Sequence, residues 1–217
     1  MMGRYIFRRI LITVPLLLLM ALLTFVMMQR TSGGFFDLMR MDPNISAATI
    51  DRYEHLYGLD RPLIYQYGQW LKNIFRGEFG YSFYYNIPVA RLIAGRLVNT
   101  LILSLASILL TWSLAIPLGI WAALNRNRMI DRVIQVFSYI GLSTPSFFLA
   151  MLFLWWASQT GLLPLGGMRS ARYEDLSLLG KAADLLRHLA IPALTLSIGS
   201  MGALQRIMRG NMLEVLQ

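Results

Sequence analysis

ILITVPLLLLMALLTFVMMQ, residues 10 to 29, is a run of 20 residues without a charge between Arg9 and Arg30. At 1.5 Å per residue a helix of that length covers about 30 Å, the thickness of a bilayer's hydrocarbon core. The basic leader before it, with Arg4, Arg8 and Arg9, has the look of a signal peptide. The apolar run, however, exceeds the roughly 7 to 15 residues of a signal core, and no A-x-A-like site follows it, so the sequence predicts an uncleaved anchor.

The same pattern recurs along the chain. Between Arg96 and Arg126 lie 29 uncharged residues, Val133 to Ala157 form a third apolar block, and the 18 residues from His188 to Gln205 form a fourth. Of 217 residues 56% are hydrophobic and 14% charged, against about a quarter charged in a soluble domain. The reading is an all-α integral membrane protein with four transmembrane helices. Its expected plan is a cytoplasmic leader over 1–9, spans at 10–29, 97–124, 133–157 and 188–205, extracytoplasmic segments at 30–96 and 158–187, a cytoplasmic loop at 125–132 and a cytoplasmic tail at 206–217.

Orientation follows from the arginines of the short loops. The leader, the 125–132 loop and the tail hold eight basic residues against two acids, Asp131 and Glu214, which marks that side as cytoplasmic. The net charge of +9 is therefore a topological signal rather than a nucleic-acid footprint, since no basic module interleaved with exposed aromatics accompanies it. Cysteine is absent, so there is neither a disulfide framework nor a thiolate metal site.

Within 30–96, SAATIDRYEHLYG predicts a short amphipathic helix capped by Ser46 and stopped by Gly58. DRPLIYQYGQWLKNIFRG predicts a second, with Asp60 as its cap and Pro62 in its first turn. Aromatic residues crowd this segment, either as interfacial anchors or as a docking surface for something arriving from outside. On the second span Thr100, Ser104, Ser107, Thr111, Ala115, Gly119 and Ala123 form a small-residue stripe, and Ala190, Ala193, Ser197 and Ser200 repeat it on the fourth. In lipid such stripes let helices approach closely, so they read as packing seams.

Catalytic constellations are missing. His55 and His188 stand apart and do not make a ligand set; no G-x-S-x-G occurs, and the expected spans hold no Asp, Glu, Lys or Arg. No G-x-x-x-x-G-K-[ST] is present, the one Gly-Lys pair, Gly180 and Lys181, being followed by Ala182. The chain is expected to be no enzyme and to hold no cofactor; if ATP drives it, another chain hydrolyses the nucleotide. Each span carries one proline, Pro15, Pro117, Pro145 and Pro192, which removes a donor and frees a carbonyl. At 143–146 the hydroxyls of Ser143, Thr144 and Ser146 stand beside the break. Irregular backbone at depth is tolerated where it is buried in protein or lines water, so this stretch is a candidate for the solute's path.

LGIWAALNRNRMIDRVIQVFSYIGLSTPSFFLAMLFLWWASQTGLLPLGG, residues 118–167, resembles the middle of the permease subunits of ABC importers for dipeptides, oligopeptides and nickel. RYIFRRILITVPLLLLMALLTF at 4–25, YGLDRPLIYQYGQWLKNIFRGEFGYSF at 57–83 and IPVARLIAGRLVNTLILS at 87–104 extend the resemblance over nearly the whole chain. The family implies a six-helix subunit of the cytoplasmic membrane that pairs with a homologous permease and two ATPase subunits and receives solute from an extracytoplasmic binding protein. Ser143, Thr144, Pro145 and Ser146 match its Ser-x-Pro-x-Phe stretch. Arg209, Met212, Leu213, Glu214 and Leu216 match the lead into its coupling helix, which fits a groove on the ATPase. TSGGFFD stands where the family usually has Gly-Asp-Pro. Gln217 falls before the Glu-Ala-Ala core of the coupling loop and the last two helices, which implies a fragment or a short form. The competing expectation is a membrane scaffold or sensor that binds a partner through its outer segment without transporting anything.

Overall fold

A backbone inside hydrocarbon must satisfy its own N–H and C=O groups, and this chain does so with helices. The structure, a computed structural model, describes residues 2–30, 39–41 and 46–216. The helices are α1 (Met2–Arg30), α2 (Ala47–Leu56), α3 (Leu63–Phe75), α4 (Val89–Leu124), α5 (Met129–Ser143), α6 (Ser146–Thr160) and α7 (Leu178–Val215), with a 3-10 turn at Tyr173–Asp175. An antiparallel hairpin of β1 (Tyr81–Ser82) and β2 (Ile87–Pro88) pairs Tyr81 with Pro88 and Ser82 with Ile87. The TSGGFFD stretch lies outside the described residues. The chain divides into two units, Met1–Ala94 and Gly95–Gln217.

Among the described residues α1 and α4 are each long and apolar enough to cross a membrane, and α5 with α6 qualifies only as a pair, bent by 99°. The expectation of four spans thus compares with two such helices, or three with the bent pair counted as one. The expected fourth span, 188–205, is an interior stretch of α7, a single helix of 38 residues. Its apolarity is diluted by Thr195, Ser197, Gly202 and Gln205, and all four are buried against protein. A helix that packs one side against its neighbours can carry polar residues on that side, while Leu194 and Leu196 on the other stay exposed. The expected 125–132 loop is also shorter than the sequence suggested, because α5 already begins at Met129.

In the first unit, Ser46 caps α2 by accepting the Thr49 N–H, and Ile50 is buried. Gly58 leaves the helix with φ of 66°, a backbone region that costs glycine little. The expected cap of α3 is corrected: Pro62 occupies the N-cap position without a side-chain bond, while Asp60 is engaged by the His55 ring at 2.9 Å. Gln66 ties the turn down by donating to the carbonyls of Leu59 and Arg61. On α3 the buried Tyr67 donates its hydroxyl to the Leu18 carbonyl of α1 at 2.9 Å. Phe25 of α1 packs edge-on to Tyr67 and lies 6.0 Å from the Trp70 ring.

In the second unit α7 is the central element, with α4, α5 and α6 against it. Glycine makes the approach possible. A Cβ at Gly202 would sit 2.6 Å from the Ser138 carbonyl oxygen, one at Gly141 would sit 2.9 Å from Ile198 Cγ2, and one at Gly119 would sit 2.7 Å from Met208 Cβ. Those distances leave no room for any side chain, so the three helices touch backbone to backbone.

Candidate functional site

Where α4 gives way to α5, the chain turns through Asn127, whose φ is 66°. Asparagine tolerates that left-handed conformation better than most residues. The turn aims the Asn127 N–H at Asp131 Oδ2, 3.0 Å away. Asp131 stands in the first turn of α5, where a negative charge is favoured by the exposed N–H groups of the helix. Gln135, one turn on, donates to Oδ1 at 2.8 Å.

The partner that closes the arrangement comes from the far end of α7. Arg209 donates through Nε to Oδ1 and through Nη2 to Oδ2, each at 2.7 Å, across 78 residues of sequence. Asp131 is only 1% exposed, and this fork-to-fork geometry satisfies both oxygens at once. The Arg209 bonds hold the Asp131 carboxyl at about 2, below the usual 3.8, against the opposing effect of burial. Arg209 is correspondingly pushed up from its ordinary value. A charge pair therefore joins the C-terminal part of α7 to the first turn of α5.

Two turns further along α5 and one turn back along α7, Ser138 meets Gln205. The Ser138 hydroxyl lies 2.9 Å from the Ile134 carbonyl and 2.9 Å from the Gln205 side-chain oxygen. Gln205 is 1% exposed, and its Nε2 is the buried side-chain polar atom without a partner among the described residues. With the amide turned over, the nitrogen would donate to the hydroxyl, which then gives its own proton to Ile134; oxygen and nitrogen of an amide are assigned by such networks. Either way one amide atom stays unsatisfied, so this contact is polar but incomplete.

Ser107, Thr111, Ala115 and Gly119 are all buried on α4, as are Ala193 and Ser197 on α7. Ser197 Oγ lies 2.6 Å from its own helix's Ala193 carbonyl and 3.0 Å from the Ser107 carbonyl of α4. Thr100 and Ser104, at the N-terminal end of the same stripe, are exposed.

The 143–146 stretch is a full break. Thr144 takes extended backbone, ψ 121°, and Pro145 follows at φ −58°, ψ 134°. The helical bond that Pro145 cannot donate ends α5, and Thr144 seals that end by giving both its N–H and its hydroxyl to the Ile140 carbonyl. Ser143 and Ser146 are exposed, and their hydroxyls have no protein partner among the described residues. The hydroxyls of the two serines are thus surplus to the local structure. Arg209, Met212 and Leu213 are half-buried and Glu214 is exposed; of these expected coupling residues Arg209 is the one paired with a buried acid. Sequence reasoning missed Asp131, Ser138 and Gln205. A lone acid in an arginine-rich loop and a Gln at the end of an apolar block were the signals available.

Two family profiles divide the chain between them. The one described as "Binding-protein-dependent transport system inner membrane component" matches residues 115–217, and its companion, the N-terminal part of the same membrane component, matches residues 2–106. The chain belongs to this family. It is 38% identical to the oligopeptide transport system permease protein AppB of Bacillus subtilis over 217 residues, covering 99% of this chain and 67% of the relative. A protein of Brucella suis named as a peptide permease is 38% identical over 219 residues, with 99% of this chain and 67% of that protein covered. A peptide ABC transporter permease protein of Sinorhizobium fredii is 30% identical over 216 residues, with 99% and 66% covered. The chain thus spans about two thirds of the length of these relatives. It is a multi-pass component of the inner membrane.

Proposed function

We propose that this chain supplies one half of the route by which an ATP-driven importer carries peptides, or small solutes of like chemistry, into the cell. The observation that carries the reading is the match of the whole chain to permeases named for peptide transport, set beside the clamp between Asp131 and Arg209. A second, homologous permease completes the pathway, two ATPase subunits drive it, and an extracytoplasmic binding protein delivers the solute. The N-terminus is cytoplasmic and four segments cross the bilayer, 188–205 being the fourth. Nothing observed favours a scaffold or sensor that does not transport.

The proposed mechanism begins at the tail. Met212, Leu213 and Glu214 lead toward the ATPase, and Arg209, three residues earlier, carries their movement to α5 through Asp131. Charge-assisted bidentate pairs are directional as well as strong, so the first turn of α5 follows the end of α7. Movement of α5 tilts the elbow at Ser143, Thr144, Pro145 and Ser146, where two hydroxyls without partners are free to meet water or solute. The Ser107, Thr111, Ala115 and Gly119 face with Ala193 and Ser197 holds α4 to α7 meanwhile.

The test is reconstitution of the protein with its companion permease and ATPase subunits in liposomes. Solute-loaded binding protein should raise ATP hydrolysis and peptide uptake several-fold. Loss of both subunit association and stimulation would sink the reading. For the elbow, single cysteines at Ser143 and Ser146 should react with a membrane-impermeant thiol reagent in at least one nucleotide state; silence from both sides in all states removes them from the path.

A further inference from the structure

α3 is shaped for two solvents. Projected down its axis, Leu63, Tyr67, Trp70 and Ile74 share the face turned to α1. Leu71, Ile64 and Phe75 fall beside it within about 40° of arc, at 3.6 residues per turn. Ile64 and Phe75 are 71% and 83% exposed, and among the described residues nothing covers them. The opposite side carries Gln66, Gln69 and Asn73, which with His55 and Tyr81 line a crevice of about 610 Å³. Lys72 is the one charged residue of the helix.

The depth of α3 is set by its contacts with α1. Tyr67 bonds the Leu18 carbonyl, Trp70 and Tyr67 pack on Phe25, and Gln66 accepts from Gln29. Leu18 to Gln29 spans about 16 Å of helix, half of a hydrocarbon core of roughly 30 Å. If α1 crosses the bilayer, as its length and apolarity allow, a helix resting on that half cannot stand wholly in the aqueous phase.

From this we propose that α3 is an in-plane membrane helix: its Ile64, Leu71 and Phe75 stripe is immersed among the acyl chains of the leaflet at the Arg30 end of α1, with the Gln69 and Asn73 side open to water. The occupant of the stripe is lipid hydrocarbon, continuous with the lipid around α1. Tyr65 and Trp70 supply rings of the kind favoured at the headgroup level, and Lys72 can lay its stem along apolar surface while its ammonium reaches water. The proposal rests on the reading of α1 as a span.

The natural sequence has no cysteine, so spin labels can be placed one at a time in the full complex in liposomes. Ile64→Cys and Phe75→Cys, with Leu71→Cys as a third position should either disturb assembly, are compared with Gln69→Cys on the polar side. Leu11→Cys in α1 and Tyr84→Cys in the hairpin serve as references, and stimulated ATP hydrolysis reports intact assembly. Collisions with oxygen, which concentrates in lipid, are measured against collisions with a water-soluble nickel chelate. The expected oxygen-to-nickel ratio at 64, 71 and 75 is several-fold above that at 69 and close to that at 11. Nickel access at 64 and 75 equal to that at 84, with 11 still in lipid, overturns the proposal alone. Low access to both reagents also overturns it, since a protein surface would then cover the stripe. An aqueous signal at 11 overturns the spanning reading of α1 together with it.

Discussion

Asp131 receives four donated bonds, two from Arg209 and one each from Gln135 and Asn127. Removing its charge leaves a mostly buried guanidinium without its anion. Asp131→Asn is expected to destabilise the second unit by about 1–3 kcal/mol, read as a lower unfolding temperature of the purified complex. The pH dependence has a definite sign. Native Asp131 titrates at about 2 and the unfolded group at 3.8, so the unfolded chain takes up the proton first as the solution is acidified. The stabilisation, on the order of 2 kcal/mol, is complete above about pH 5 and is lost as pH falls through 3.8 and past 2. The gap between wild type and Asp131→Asn should therefore be flat from pH 8 to 5 and narrow below about 4; a gap that widens on acidification would contradict the assignment. None of this was legible in the sequence. Arg209 could be placed near a coupling segment by resemblance, but periodicity links neighbours on one helix, and a partner 78 residues away belongs to a different one.

At the scale of elements, the small-residue stripes could be read because lipid-embedded helices associate by close packing, and a residue without bulk is the trace this leaves. Gly202 gives the sharpest test. With the Ser138 carbonyl 2.6 Å from its ideal Cβ, Gly202→Val must part α5 from α7, at a cost of about 1–3 kcal/mol for overpacking. Gly210, whose Cβ would meet nothing within 4 Å, serves as the control: Gly210→Ala should change stability by about 0.5 kcal/mol or less. The elbow at Pro145 was visible as a proline among hydroxyls, yet its size was not. A proline inside a helix can be absorbed, as Pro15, Pro117 and Pro192 show inside α1, α4 and α7. At 144–145 two successive residues take extended backbone, and that is what turns a kink into a 99° bend. Two arms of 15 residues each measure about 22 Å, so spin labels on Met129 and Thr160 should lie roughly 29 Å apart, against about 45 Å for a straight helix. Pro145→Ala, which restores the N–H, is expected to shift that distribution to longer distances.

For the molecule as a whole, composition and charge carried most of the weight: the all-helical architecture and its membrane setting follow from uncharged runs, and the family from the ordered set of motifs. The count of spans was less legible, because an apolar run records what a segment avoids and not whether lipid or protein surrounds it, and 188–205 buries one side against its neighbours while Leu194 and Leu196 stay exposed. Topology can be checked directly on a chain without cysteine. A single cysteine at Met2 is expected to react only with reagent on the cytoplasmic side and one at Tyr84 only with reagent outside; the reverse would overturn the arginine-based orientation. The length of α7 has a mechanical meaning of its own. Its 38 residues make a shaft of about 57 Å, nearly twice the hydrocarbon thickness, and it passes Pro192 without a joint. Compliance in this half of the chain is thus concentrated at residues 144–145, while stiffness resides in the shaft. In the proposed mechanism a thrust entering at Glu214 is borne by this shaft, and the elbow is the joint where it turns into rotation.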